Sequence, residues 1–436
     1  MSREDETSRA RAGVGGAEGL RAGDACEVEI ERVLPGGAGV AHARGLTVFV
    51  PLAAPGDRLR VRVERVSGRV AFASLVEVVA PGPSRIEPPC PYFGRCGGCD
   101  FQQLTYRAQL AAKVEIIRDC LRRIARLTPP EEIPITPSPA AWRYRSRARW
   151  QRDPNANHFG YYELASHRVV DVAECPVVTP ELQDALARLR ASFAAAASPD
   201  EDTTRDHDAA RARELARAGD APREFEAVAG DDGVSLLPPL AAADEGERAR
   251  TIAGERYRFD ASCFFQINHA LLDALVRAAL EGVEGEGGAA VDLYCGVGLF
   301  TLPLARRFAR VVGVESNASA ARFARRNLAD ARLTNAEIKT AQVGDWLARR
   351  APRLAPVGLL LLDPPRAGAE HGALEGIVAL KPRRITYVSC DPATLARDLR
   401  QLIARGYALE SVAAFDMFPQ THHVETVARL SLAAEV

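Results

Sequence analysis

Four apolar, strand-like runs in the last third of the chain constrain the fold most. They cover residues 290–293, 310–315, 357–362 and 384–389, and helical patterns lie between them. Continuous apolar strands that alternate with helices are typical of a parallel sheet buried on both faces. The first run leads into Cys295-Gly-Val-Gly298, which predicts a strand, a Gly-rich turn and then a helix. We therefore predict an α/β, Rossmann-like domain over residues 261–436.

Acidic residues end two of these strands. Glu315 follows the Gly-rich turn by about 20 residues, where an acid can hold ribose hydroxyls. Asp363 follows the third strand and precedes two prolines. Thr301 stands where a third Gly would complete a dinucleotide motif. A ribose-bearing ligand without a pyrophosphate therefore fits better than NAD, and S-adenosylmethionine is such a ligand.

A thiol and a carboxylate follow the same pattern. Cys390 lies just past the fourth strand, and Glu425 lies near the end of another strand-like run. Such a pair could attack an electron-poor ring and then remove a proton. Alone, a cysteine after an apolar strand is more often a small buried hydrophobe.

Three cysteines lie within ten residues, at Cys90, Cys96 and Cys99, among glycines that let the backbone curl around an inorganic core. Cys175, in a turn-like segment, is the best fourth ligand. Iron-sulfur clusters and zinc both take four thiolates, so the spacing leaves both open. Nine cysteines in 436 residues are too few for a disulfide scaffold and favour a reducing compartment.

The preceding part of the chain divides by composition. Residues 1–23 are a polar tail that we expect to be disordered. Residues 24–84 alternate apolar and charged side chains between Gly and Pro turns, which predicts a small closed, OB-like β-barrel. Residues 85–260 form a predicted central α+β domain, with a variable insertion at 194–250 rich in Ala, Arg and Asp.

Charge and hydropathy limit the partners. The formal net charge is -1, so any contact with nucleic acid must come from local patches. One candidate is the run of arginines at 143, 145, 147 and 149, which would share one face of a strand and bind phosphates. No apolar run approaches ~18 residues, and the N-terminus has no apolar core of a signal peptide. We expect a cytoplasmic protein that does not enter membranes.

Five segments together resemble a known family. FFQIN, DLYCGVGLF, DPPRAG, VSCDPATLARD and DMFPQTHHVE, in this order and spacing, are similar to the bacterial RNA 5-methyluridine methyltransferases. Those enzymes use S-adenosylmethionine to methylate C5 of uracil in 23S rRNA and tRNA. The resemblance covers residues 24–430 except the insertion. Residues 24–84 resemble a TRAM domain, an RNA-binding module, around FVPLAAPGDRLRV. Similarity to the rRNA enzymes implies a [4Fe-4S] cluster at the four cysteines.

The resemblance also implies individual roles. Cys390 would be the nucleophile that adds to C6 of uracil, and Glu425 the base that removes the C5 proton. The residues implied to line the cofactor pocket are Gln266, Tyr294, Glu315, Asp345 and Asp363. The sequence departs from the family pattern in two places: Ser316-Asn317-Ala318 lacks the usual proline, and Leu299 replaces a polar residue seen in some members.

The implied partner is RNA, with 23S rRNA favoured over tRNA, and we expect a monomer. Two alternatives stay open on the residues alone. One is a methyltransferase that acts on an exocyclic amine of adenine or guanine, which would need neither Cys390 nor Glu425. The other is an iron-sulfur RNA-binding protein whose methyltransferase domain is idle.

Overall fold

The computed structural model describes residues 19–197, 207–217, 222–283, 288–350, 356–370 and 372–433. These residues form two compact units where the sequence predicted three domains. One unit comprises residues 19–34 together with 38–85, and the other comprises 35–37 and the described residues from 86 onward. Most of the predicted N-terminal tail, residues 1–18, lies outside the described residues.

The first unit is a six-stranded sheet. Its strands are β1 (Ala25–Glu29), β2 (Arg32–Val33), β3 (Gly39–Ala43), β4 (Leu46–Val50), β5 (Arg58–Ser67) and β6 (Val70–Ala80). They are ordered β1-β5-β6-β4-β3-β2. The two edge strands, β1 and β2, are separated by only two residues, so the sheet must curl until its edges meet. This strand order supports the predicted small barrel.

Alternation along the strands supplies the barrel core. In β5 the exposed arginines Arg58, Arg60 and Arg62 alternate with Leu59, Val61 and Val63, which are 0–1 % exposed. Period-2 alternation puts one set of side chains inside and the other in water. Arg60 pairs with Glu77 and Glu27 on the neighbouring strands, so part of this charge is balanced on the sheet itself.

The second unit begins with a cysteine-containing loop and helix α1 (Tyr106–Cys120), which a π-helical turn extends through Leu121–Ala125. The next elements are β7 (Ile135–Thr136), β8 (Arg147–Asp153), β9 (His158–Tyr162), β10 (Val169–Asp171), α2 (Pro180–Ala197), α3 (His207–Arg217), β11 (Glu224–Gly230) and β12 (Gly233–Leu237). An antiparallel sheet of order β10-β9-β8-β11-β12 contains five of these strands, and its core includes side chains of α2 and α3.

The segment predicted as a variable insertion, 194–250, is therefore partly structural. Strand β11 lies inside the five-stranded sheet, and Phe225 and Ala227 on it are fully buried. Strands β11 and β12 were missed in the sequence because Ala, Arg and Asp dominate the composition of the segment as a whole. Residues 198–206 and 218–221 of this segment lie outside the described residues.

The predicted arginine face is kept only in part: side chains at 144, 146, 148 and 150 are buried and the arginines between them are more exposed, but the four arginines do not share one regular strand. The extended strand begins only at Arg147, and Arg143 has a left-handed backbone (φ 54°), so the four side chains do not alternate along one strand. Arg147 and Arg149 both pair with Glu226, at 2.9 and 2.6 Å. Arg145 is half-buried and faces the cysteines. These guanidinium groups balance charge within the unit, and they do not form one stripe for RNA phosphates.

The remainder of the chain follows the predicted α/β pattern after a hairpin of β13 (Arg248–Ile252) and β14 (Glu255–Phe259). Its helices are α4 (Leu272–Ala279), α5 (Thr301–Ala305), α6 (Ala318–Asp330), α7 (Val343–Arg350), α8 (Ala373–Leu380) and α9 (Pro392–Ile403). Its strands are β15 (Ala289–Leu293), β16 (Arg310–Glu315), β17 (Ala336–Thr340), β18 (Val357–Leu362), β19 (Arg384–Ser389), β20 (Tyr407–Phe415) and β21 (Glu425–Leu432).

These seven strands and β7 form one sheet of order β17-β16-β15-β18-β19-β21-β20-β7. Strands β15 to β19 are parallel, whereas β21 runs antiparallel to both β19 and β20. The strand order reverses between β15 and β18. In open α/β sheets ligands bind at such a switch point, beyond the carboxyl ends of the strands.

A buried ion pair joins α1 to the loop between β20 and β21. Lys113 and Asp416 contact each other, and both side chains are fully buried. Lys113 also donates to the Phe418 carbonyl (3.0 Å), and Tyr106 donates its hydroxyl to the other Asp416 oxygen (2.7 Å). Burial lowers the pKa of Lys113, and Asp416 opposes that shift. A buried charge pair keeps its charges only while both partners stay in place.

All nine cysteines are free thiols. Across the described ranges, no helix combines the length and the apolar character needed to cross a bilayer.

Substituting Asp416 by Ala should strongly destabilise this unit. The change leaves the Lys113 ammonium buried without a counter-charge, which costs about 3–5 kcal/mol. Denaturant unfolding measures the loss. The matched control is Glu410→Ala on the preceding strand, β20, where the side chain is exposed, and it should change stability by less than about 0.5 kcal/mol. A loss at Asp416 no larger than that of the control would contradict the role of the pair.

Candidate active site and cysteine cavity

The thiol and the carboxylate predicted to react are brought together by antiparallel pairing of β19 with β21. Ser389 is paired with Thr426, and the Thr426 hydroxyl donates to the Ser389 carbonyl (2.9 Å). Cys390 follows Ser389, and Glu425 precedes Thr426. Because the strands are antiparallel, these two residues occupy the next opposite position. Residues that face each other across antiparallel strands have Cβ atoms about 4.5–5.5 Å apart on one face of the sheet. The pairing therefore directs both side chains to one place.

The residue after Cys390 fixes where the strand ends. Asp391 caps α9, because its carboxylate accepts hydrogen bonds from the backbone N–H groups of Ala393 (2.9 Å) and Thr394 (2.8 Å). Pro392 occupies the first helical turn, where no backbone N–H is needed. Cys390 is thus held between the end of a buried strand and the start of a helix, and it stays half-buried.

Glu425 has an unusual environment for a carboxyl group. Its side chain is 1 % exposed, and neither carboxyl oxygen has a hydrogen-bond partner among the described residues. Burial, with a contribution from the nearby charge of Asp363, raises its pKa well above the usual value, and Arg366 opposes the shift. A buried polar group without a partner costs about 1–3 kcal/mol. Such a group requires an explanation, and a functional one is common.

Burial also raises the pKa of the Cys390 thiol, to about 12. The charges of Glu425 and Asp363 add to this shift, whereas the exposed guanidinium of Arg366 reduces it. The sequence analysis did not single out Arg366 as a site residue. The sequence could have indicated this residue, because Arg366 is part of the DPPRAG segment and follows Asp363 by three positions.

Asp363 lies directly after β18 and is joined to a second predicted residue. The Gln266 amide donates to its carboxylate at 3.3 Å. Burial raises the pKa of Asp363 to about 7, and the Gln266 hydrogen bond opposes the shift. The structure therefore brings together Gln266, Asp363, Cys390 and Glu425, four of the seven predicted catalytic and cofactor-binding residues.

Glu315 and Tyr294 lie at the ends of the two neighbouring strands. The Glu315 carboxylate accepts from the backbone N–H groups of Gly296 (3.0 Å) in the Gly-rich turn and Asn317 (2.6 Å). Tyr294 has a φ of 61° at the start of that turn, and its hydroxyl accepts from the Glu370 backbone N–H. Asp345 is different, since it is exposed in the first turn of α7 and has no described hydrogen bond to the other four pocket residues.

Beneath this edge of the sheet lies Asp292, a second carboxyl group that sequence reasoning did not single out. It is fully buried on β15, and the Thr301 hydroxyl donates to one of its oxygens, while the other oxygen has no partner among the described residues. Burial raises its pKa to about 8. Thr301, which replaces the third Gly of a dinucleotide motif, thus bonds to a core carboxyl group.

The four predicted metal-binding cysteines line one cavity. Cys90, Cys96, Cys99 and Cys175 share it with Arg145 and Tyr161. Burial raises the thiol pKa of Cys96 to about 11 and of Cys99 to about 12. The Nε atom of Arg145 is buried there without a described hydrogen-bond partner. Within the described residues, no three His, Cys, Asp or Glu side chains are grouped so that they could hold a single metal ion.

Comparisons with known proteins agree with this architecture. The TRAM domain family matches residues 20–76, and the family described as tRNA (Uracil-5-)-methyltransferase matches residues 248–432. The solved structure of the tRNA (uracil-54, C5)-methyltransferase of Pyrococcus abyssi, in complex with S-adenosyl-L-homocysteine, superposes with a TM-score of 0.70 at 27% identity. The match covers 92% of this chain and 99% of that one.

Two curated relatives match over nearly their full lengths. An uncharacterized RNA methyltransferase of Thermosynechococcus vestitus is 34% identical, over 94% of this chain and 98% of its own. The 23S rRNA (uracil(1939)-C(5))-methyltransferase RlmD of Vibrio parahaemolyticus is 32% identical, over 92% of this chain and 94% of its own. The predicted resemblance is confirmed, and the chain belongs to the family of RNA (uracil-C5)-methyltransferases.

Proposed function

We propose that this protein methylates C5 of uracil in RNA with S-adenosylmethionine, through a covalent adduct between Cys390 and C6. The observation that carries the proposal is the Glu425 carboxyl group, which is buried beside Cys390 with both oxygens unpartnered. Burying a carboxyl group without a partner lowers the stability of the protein. A role in taking a proton from the substrate would explain why the group is buried there. A carboxylate with a raised pKa is also a stronger base.

The chemistry follows from the two side chains. S-adenosylmethionine supplies an electrophilic methyl group, and uracil C5 is too weak a nucleophile to take it unaided. Addition of the Cys390 thiolate at C6 places electron density on C5, which splits one difficult step into two. As C5 takes the methyl group, the bond between that methyl group and the sulfonium sulfur would break and the neutral thioether would leave. Glu425 would then take the C5 proton. The electron pair of that C–H bond then restores the C5–C6 double bond as the C6–S bond breaks, and the thiolate is released.

The cofactor pocket has the residues that this ligand needs. We assign Glu315 to the ribose hydroxyls, because its carboxylate is held at the carboxyl end of β16 beside the Gly-rich turn. Gln266, Tyr294 and Asp363 would line the remaining pocket, at the ends of strands around the switch point. Asp345 remains a prediction, with less support than the others because its side chain is exposed on α7.

We assign the cysteine cavity to a [4Fe-4S] cluster, because its lining supplies four thiols. Four thiolates would bring negative charge into a closed site, and the buried guanidinium of Arg145 beside Cys99 and Cys175 would balance part of it. Four thiolates are also a ligand set for zinc, and we favour the cluster because the resemblance to the rRNA enzymes implies it. The methyl transfer needs no electrons, so we assign the cluster a structural role. A reducing compartment such as the cytoplasm would suit it.

We favour 23S rRNA as the substrate, because several similar relatives carry the name of a 23S rRNA methyltransferase. A uracil inside a duplex cannot reach Cys390, so the target base must be flipped out or lie in a loop. Neither alternative left open by the sequence has a use for the unpartnered Glu425 carboxyl group. An enzyme that methylates an exocyclic amine needs no thiol adduct, and an idle domain would transfer no methyl group.

Cys390→Ala should abolish covalent capture of RNA. In RNA with 5-fluorouridine, fluorine replaces the C5 proton that Glu425 would remove, so the adduct cannot break down. Wild-type protein with S-adenosylmethionine should form an adduct stable to denaturing electrophoresis with fragments of 23S rRNA, and more of it than with tRNA. Cys26→Ala, in the barrel, is the matched control and should keep the adduct. A Cys390→Ala protein that still forms it would overturn the assignment.

Glu425→Gln should block release and leave addition intact. The amide cannot accept the C5 proton, so unmodified RNA should accumulate as a methylated adduct on Cys390, and turnover should fall by about 10²–10⁴. Quantifying labelled methyl groups that co-migrate with the protein measures the adduct. Turnover at the wild-type rate, or loss of turnover with no adduct, would count against Glu425 as the base.

The reactivity of Cys390 should rise with pH over an unusually wide range. Because only the thiolate reacts and the pKa is raised to about 12, alkylation should speed up by about tenfold per pH unit between about pH 6 and 9, without a plateau. Mass spectrometry of the peptide containing Cys390, after timed treatment with iodoacetamide, gives the rate. Arg366→Gln should slow alkylation further, because the guanidinium lowers the pKa. A plateau below pH 8 would show that the pKa of the Cys390 thiol is not raised, which would contradict the prediction.

A further inference from the structure

Residues 419–422, here named the 419–422 turn, precede Glu425 and are bonded to the chain that follows Cys99. The backbone N–H groups of Asp100 and Phe101 both donate to the Gln420 carbonyl, at 3.1 and 3.0 Å. Residues 90–101 are here named the cysteine loop. Its two donors on one carbonyl hold the 419–422 turn against it.

The Asp100 side chain makes a second connection to the same turn. One carboxylate oxygen accepts from the His422 backbone N–H at 2.8 Å, and the other contacts Nδ1 of the His422 ring. Hydrogen bonds to a charged group are stronger than those between neutral groups. Asp100 thus holds the turn through its backbone and its carboxylate together.

The turn has a backbone conformation that needs such support. Gln420 has a φ of 67°, in the left-handed region that residues other than Gly seldom adopt. Gln109 on α1 holds it through a reciprocal amide pair, in which each residue donates to the other at 3.0 Å. Strained conformations persist where the surroundings over-determine them, and functional sites are common among them.

Glu425 depends on this support because its own side chain supplies none. Neither carboxyl oxygen has a described partner, so the position of the group is set by the backbone on either side of it. Glu425 itself begins β21 and is paired with Phe415 of β20, and on its other side residues 423 and 424 lead to the 419–422 turn. A turn that moves would carry the carboxylate away from Cys390.

We propose that Asp100 is a positioning residue for Glu425, and that the cysteine loop sets the placement of the base through it. The inference rests on the proposed function of Glu425. Since Asp100 directly follows Cys99, a cluster bound at the four cysteines would hold Asp100 against the turn. The cysteine site would then support catalysis through the backbone, with no transfer of electrons.

The test uses cluster-containing protein and the variants Asp100→Ala and Asp100→Asn. Asp184→Ala is the matched control, an exposed aspartate on α2. Hydrogen exchange at residues 420–425 should be faster by about tenfold or more in Asp100→Ala, because both contacts to His422 are lost. Asp100→Asn should lie between, since its amide oxygen still accepts from the His422 backbone. Asp184→Ala should match wild type.

A second readout separates positioning from general damage. Asp100→Ala should accumulate the methylated Cys390 adduct with unmodified RNA, as Glu425→Gln does, while its visible cluster absorption and circular dichroism stay as in wild type. Unchanged exchange, or faster exchange without adduct, would overturn the inference. If Glu425→Gln itself forms no adduct, the proposed function fails, and the exchange of residues 420–425 in Asp100→Ala still decides whether Asp100 holds the turn.

Discussion

The antiparallel pairing of β19 with β21 is the constraint on which the site depends. Ser389 opposite Thr426 leaves Cys390 and Glu425 as the next residues on the two chains. A slip of one residue would turn every side chain of a strand to the other face, and thiol and carboxyl group would no longer meet. The arrangement disfavours the charged form of both groups. Burial and the charge of a neighbouring acid raise the pKa of the Cys390 thiol and of the Glu425 carboxyl group.

This pairing is reinforced from a distant part of the chain. Lys113 and Tyr106 on α1 hold Asp416 at the end of β20, and Gln109 on the same helix holds Gln420. Tyr144 donates to the Pro419 carbonyl at 2.9 Å, one residue before the Arg145 that faces the cysteines. The chain around the cysteine cavity is therefore hydrogen-bonded to the 419–422 turn, within one compact unit.

The sequence predicted those features that depend on local pattern. Apolar runs in the sequence show where strands end, so Glu315 was correctly placed at the end of β16 and Asp363 directly after β18. Features that depend on contacts between distant parts of the chain could not be predicted from the sequence. Nothing in the two residues of β7 indicates that they extend the methyltransferase sheet. The arginine face was predicted only in part, because alternation in a sequence does not show where a strand begins, and the pairing of Arg147 with Glu226 depends on β11, which the composition of that segment did not reveal.

The most direct measurement of the central claim is the structure of the protein trapped on RNA with 5-fluorouridine. The account predicts continuous density between the Cys390 sulfur and C6 of the target base. It also predicts that a Glu425 oxygen lies within reach of the C5 substituent, on the side from which the proton would leave. A base bound without a bond to Cys390, or a Glu425 carboxyl group turned away from C5, would contradict it.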